Sequence, residues 1–129
     1  MSSIEKINSP ENPNHSRILS HAVKVPIQSS LIFLSGQTPH TKDGQLAPGG
    51  IAEHTTQCIT NLGNSLAAAG SSWENVVKVN VYLKNMDDFA AMNAVYEKLL
   101  PTPKPARTCI QAARLPADVD VEMECIATA

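Results

Sequence analysis

The chain has 129 residues, with 10 basic and 12 acidic side chains and a net charge of −2. Hydrophobic residues make up 43% and charged residues 17%, which excludes disorder and calls for one folded domain over residues 1–129. No apolar run approaches the ~20 residues of a membrane span, and a near-neutral chain lacks the basic field that sequence-independent nucleic-acid binding relies on.

Residues 1–20 are polar and carry Pro10 and Pro13. Ile4 to Ile7 gives at most a short strand, followed by loop. His21 to Val25 alternates weakly and predicts a strand. Leu31-Ile32-Phe33-Leu34-Ser35-Gly36 is a short apolar run between turn formers, the pattern of a buried strand. Residues 39–50 are loop chemistry, with a hairpin-type turn signal at Asp43-Gly44. From Ile51 to Ala69 the period changes. Ile51, Thr55, Cys58, Leu62, Leu66 and Ala69 fall at steps of three and four, one face of a helix. Glu53 stands in its first turn, where the helix dipole favours it, and Gly70 follows as a C′ glycine. Gly63 inside this helix implies close packing against a sheet.

Val77, Val79, Val81 and Leu83 alternate with Lys78, Asn80 and Tyr82, a strand with one buried face. A second helix follows, capped by Asn85 or Asp87. Its apolar stripe is Phe89, Met92, Val95, Tyr96, Leu99 and Leu100, and Pro101, Pro103 and Pro105 end it. Thr108 to Ala112 reads as a strand, Leu115 to Asp118 as a turn, and Val119 to Ala127 as a last strand. The order is β-β-α-β-α-β-β, with room for one more strand at the start. It specifies an α+β two-layer sandwich, a mixed sheet with both helices on one face. The other face is left uncovered, and one-sided sheets of this kind often complete themselves by oligomerising. Trp73, Phe33, Phe89, Tyr82 and Tyr96 read as core or half-core.

Arg107 follows Pro103-Lys104-Pro105-Ala106 and opens a strand, so rigid prolines preorganise its guanidinium as a fork for a carboxylate or phosphate. The plain alternative is a surface arginine in an ion pair. Glu122 and Glu124 share a strand face with Asp120. Neighbouring carboxylates can raise one another toward general-base range, or can simply form a solvated edge. Cys109 lies two residues after Arg107 on the same strand face. Its thiol is either activated by the guanidinium or a small buried apolar group. His15, His21, His40 and His54 lack metal-ligand spacing and read as ordinary polar positions, so no metal is expected. Phosphate-binding glycine loops and serine-hydrolase elbows are absent, and no cofactor is expected. Cys58, Cys109 and Cys125 include no CxxC pair. They fit a reducing, cytoplasmic setting, and the N-terminus has neither a secretory signal nor a convincing mitochondrial presequence, which leaves a mature mitochondrial form open.

Several runs recur together: Ser35-Gly36-Gln37, Gly49-Gly50-Ile51-Ala52-Glu53, Asn75-Val76-Val77-Lys78 and Asp88-Phe89-Ala90-Ala91-Met92-Asn93. Pro105-Ala106-Arg107-Thr108-Cys109, Ala113-Arg114-Leu115-Pro116 and Val121-Glu122-Met123-Glu124 complete the set. With these the chain resembles the RidA family, also called YjgF/YER057c/UK114, over about residues 21–128. The resemblance implies a chorismate-mutase-like unit, a homotrimer with clefts between subunits, and hydrolysis of reactive 2-imino and 2-enamino acids such as 2-aminoacrylate to 2-oxo acids and ammonia. By motif, Arg107 would grip the substrate carboxylate and Glu122 would position or activate water. Ser35, Asn93 and Cys109 would line the cleft.

One stretch departs from the pattern. Where the family carries a GPYSQ-like run, this chain reads Arg17-Ile18-Leu19-Ser20-His21, and a small insertion follows around Pro26 to Ser30. Leu19 in place of the family tyrosine removes a hydroxyl from the cleft and makes its mouth more apolar, which would favour a bulkier imine. Two other readings stand beside the deaminase. One is a noncatalytic carboxylate-binding or chaperone-like trimer. The other is an RNA-directed endoribonuclease or translation inhibitor, against which a net charge of −2 and sparse aromatics argue.

Overall fold

The computed structural model describes residues 4–26 and 30–129. The elements in chain order are β1 (Glu5–Ile7), β2 (Ala22–Lys24), β3 (Leu31–Gln37), α1 (Ile51–Ala68), β4 (Val76–Leu83), α2 (Phe89–Leu99), β5 (Ala106–Gln111) and β6 (Val121–Thr128). β1 and β2 form a separate antiparallel ribbon. The other strands make one sheet in the order β3-β6-β4-β5. β4 pairs β5 in parallel and β6 antiparallel, and β3 closes the other edge against β6. The sheet is mixed, both helices pack on one face, and the α+β reading holds. The insertion expected around Pro26 to Ser30 falls on residues 27–29, which lie outside the described residues.

The core lies between helices and sheet. Cys58, Leu62 and Leu66 of α1 and Met92 and Tyr96 of α2 meet Val79, Val81, Val121, Met123, Cys125 and Ala127. Each large apolar side chain so buried contributes about 1.5–3 kcal/mol. On β4 a bulge between Val76 and Lys78 shifts the alternation, so Val76 enters the core in place of the expected Val77.

α1 starts where Glu53 turns back and its carboxylate accepts the Gly50 N–H at 2.8 Å. That bond, together with its own backbone N–H, holds the Glu53 carboxyl below its ordinary pKa. Gly49 has φ +107, and a Cβ there would sit 2.6 Å from the Glu53 side chain, so the entry needs glycine. Gly63 does not face the sheet. A Cβ there would stand 3.3 Å from the indole nitrogen of Trp73, so close packing against Trp73 explains this glycine.

Asn85 is the capping residue of the two candidates. Its Oδ1 accepts from Asp87 N at 2.9 Å and starts a 3-10 turn, Met86–Asp88, that leads into α2. At the other end of α2, Lys104 is 1% exposed and its Nζ donates to Glu97 O and Leu100 O, both at 2.6 Å. A buried ammonium thus satisfies carbonyls that the helix end leaves unpaired.

β3 is not the buried strand its apolar run suggested. Leu34 is buried, but Leu31 is 56% and Phe33 72% exposed. They stand on the face of the sheet away from the helices, at its edge. Within one chain that face is uncovered.

Candidate active site

The strand β5 opens at Ala106, so Arg107 lies inside it, in register with Val79 and facing the helices. Arg107 is 8% exposed. One face of α2 builds its cradle from residues at i, i+3, i+4 and i+7. The guanidinium carbon lies 4.7 Å from the Tyr96 ring centroid and 5.8 Å from that of Phe89. Nη1 donates to Asn93 Oδ1 at 2.6 Å and approaches Met92 Sδ at 3.8 Å. Nε is buried without a partner. Among the described residues no carboxylate pairs with this cation. Burial pulls its pKa below the ordinary value, with the nearby Tyr96 hydroxyl opposing, although an arginine remains charged. The surface ion-pair alternative is therefore wrong. Arg107 is a held, mostly desolvated cation with no acidic partner among the described residues.

Cys109 stands on the same face, in register with Val81. Burial raises its pKa by more than Arg107 lowers it, so the thiol is not activated here. Tyr96 is buried, and burial is the main cause raising its pKa.

Glu122 and Glu124 are half-buried on the opposite face of the sheet. Glu124 is occupied: Tyr82 donates its hydroxyl to Glu124, and Asn80 Nδ2 donates at 3.2 Å. The same hydrogen bond, with some burial, pushes Tyr82 up to about 12. Glu122 makes no hydrogen bond or ion pair among the described residues. Its carboxylate lies directly over Gly36, where any Cβ would overlap it. Ser35, next to Gly36, is exposed. The Ser35-Gly36-Gln37 run thus forms the floor on which Glu122 rests.

Asp120 does not join the two glutamates. It precedes β6 and turns to α1, where His54 Nδ1 meets its two oxygens at 2.8 and 2.9 Å. His54 Nε2 meets Ala47 O at 2.8 Å, and His54 is 7% exposed. This residue is not the ordinary polar position its spacing suggested. His40 Nδ1 pairs with Thr38 Oγ1, and His21 Nδ1 accepts from Ser9 N.

One chain therefore separates its predicted site residues into two groups. Arg107, Asn93 and Cys109 are together under the helices. Glu122 and Ser35 are together on the open face. Arg107 is level with Cys125 through Val79, and Glu122 is three residues from Cys125 along β6. With about 3.3 Å per residue and about 4.8 Å per strand, their backbones are roughly 14 Å apart, with side chains on opposite faces. The departing stretch docks beside the lead-in to Arg107: Ser20 donates to Lys104 O and Pro105 O, and Arg17 makes an exposed ion pair with Glu97 at 3.7 Å. A cavity of about 500 Å³ lies elsewhere, between residues 37–42 and the outer side of α1, and among the predicted site residues it touches none.

These features define a class: a two-layer α+β protein whose mixed sheet carries a buried, unpaired arginine at one edge and a free glutamate on its uncovered face. Residues 10–129 match the family described as Endoribonuclease L-PSP, and the chain belongs to this family, the one its sequence motifs resemble. It is 51% identical over 108 residues to "Protein HMF1" of Saccharomyces cerevisiae, covering 84% of this chain and 81% of that one. It is 44% identical over 97 residues to a "2-iminobutanoate/2-iminopropanoate deaminase" of Capra hircus, covering 74% and 71%. The crystal structure of "YEO7_yeast" matches with a TM-score of 0.75 at 44% identity, covering 98% of each chain. No helix among the described residues is long and apolar enough to cross a membrane.

Proposed function

We propose that this protein hydrolyses 2-imino acids, and the enamines in equilibrium with them, to 2-oxo acids and ammonia. The observation that carries the reading is Arg107, a buried guanidinium with Asn93 on Nη1 and no acid of its own. Such a group calls for a planar carboxylate from outside the chain. The likeness to a protein named as an iminobutanoate deaminase supports the same substrate class.

In this reading Arg107 takes the substrate carboxylate and fixes the imine carbon. Glu122 orients a water and accepts its proton as the C–O bond forms. The nitrogen gains protons, the C–N bond breaks, ammonia leaves and the carbonyl remains. No electron transfer is needed. Arg107 and Glu122 belong to one site only when a second copy supplies the missing half, so the active form is an oligomer; the family resemblance makes it a homotrimer with clefts between subunits. Ser35 lies beside Glu122, and Asn93 and Cys109 beside Arg107. Three unpaired thiols suit a reducing compartment, cytoplasmic or mitochondrial.

The test is release of 2-oxo acid from an imine generated in place by an amino-acid oxidase, with semicarbazide as the competing trap. Wild type should accelerate release, and Arg107→Ala and Glu122→Gln should not. Full activity in Arg107→Lys would refute the carboxylate clamp, because lysine lacks the planar fork.

A further inference from the structure

Glu122 sits where its strand has support on one side only. The β3–β6 register slips between Leu34 and Gln37, and the regular pairs on that side end at Met123. β4 still pairs it, through Tyr82. The remaining support comes from the helix layer. His54 and Cys58 lie one turn apart on α1. His54 holds the Asp120 carboxylate, and the Cys58 thiol lies 3.3 Å from Gln37 O and 3.9 Å from Val121 O. These contacts bracket Glu122 and its Gly36 floor from beneath the sheet. The ring of His54 also holds Ala47 O. The neighbouring acid on its own helix, Glu53, is already taken by Gly50 N–H.

We infer that His54 is a positioning residue for Glu122, acting through Asp120 to fix the start of β6 and so the direction of the Glu122 carboxylate. The inference rests on the deaminase reading above. It has a signature of its own. His54 is tied to the Glu122 half of the site and makes no hydrogen bond to the Arg107 half, so its loss changes turnover and spares carboxylate binding.

The test uses the full chain, with kcat for imine hydrolysis and the Kd of 2-oxobutanoate as separate readouts. Asp120→Asn and His54→Phe should each lower kcat about tenfold, as small misplacements of a reacting group do, with the Kd for 2-oxobutanoate within about twofold. Unchanged kcat in Asp120→Asn overturns the inference. So does a Kd that weakens as much as kcat falls. If His54→Phe does not fold, Asp120→Asn decides. Wild type without hydrolysis, or Glu122→Gln with full kcat, overturns the deaminase reading beneath it.

Discussion

Arg107 and Glu122 stand on opposite faces of one four-stranded sheet, two strands and three residues apart. Arg107 is sealed under α2 against Tyr96, and Glu122 lies on the open side over Gly36. Their separation follows from strand geometry. Odd-numbered positions of β5 and β6 turn toward the helices, and even-numbered positions turn away. A chemistry that needs both groups at one substrate therefore needs two chains.

Arg107 is expected to trade stability for function. A buried cation without an anion is a net cost, and an apolar group of similar length removes it. Arg107→Met should raise stability by roughly 1–2 kcal/mol in urea unfolding and abolish imine hydrolysis. A destabilised Arg107→Met would mean that its bond to Asn93 and its ring contacts outweigh the desolvation.

Gly36→Ala tests the floor under Glu122. The added methyl overlaps the Glu122 carboxylate and must displace it. Turnover should fall about as far as in Glu122→Gln, while urea unfolding changes by less than about 1 kcal/mol, since the displaced group faces the open side.

Much of this was legible in the sequence, and the failures have physical reasons. The two helices and the β4 and β6 alternation follow from period, and Gly50-Glu53 from capping chemistry. The run Leu31 to Phe33 looked buried because apolarity does not say whether a side chain meets its own core or a face that one chain leaves open. Phe89, Met92 and Tyr96 read as a core stripe, and they are also the cradle of Arg107; only the placement of β5 beside β4 reveals that second role. His54 reads by spacing as an ordinary polar position, and Lys104 reads only as part of the lead-in to Arg107. Their signal was position, His54 one turn before Cys58 on the apolar face of α1, and Lys104 just past the end of α2.

Lys104 should matter for stability alone. Lys104→Met leaves the Glu97 and Leu100 carbonyls without their donor. The loss should be about 2–4 kcal/mol in urea unfolding, and an unchanged midpoint would contradict the helix-end role.

The buried thiols predict an alkaline limit. Desolvation first, and nearby carboxylates second, raise Cys58 and Cys125 to about 12. An unfolded thiol titrates near 8.5. Above that pH the unfolded chain has lost protons that the folded chain keeps, so stability is full below it and falls as pH rises toward about 12. Urea midpoints should hold from pH 7 to 8 and decline by pH 10. A flat profile through pH 10 would contradict the buried-thiol account.

The shared site is tested most directly by mixing. Arg107→Ala and Glu122→Gln should each be inactive alone. Co-refolded at equal amounts in a closed ring of copies, a site is intact when the arginine-bearing copy and the glutamate-bearing copy are each the right variant. Random assembly then restores about a quarter of wild-type activity. No recovery in a mixture whose subunits have exchanged would contradict the two-chain site.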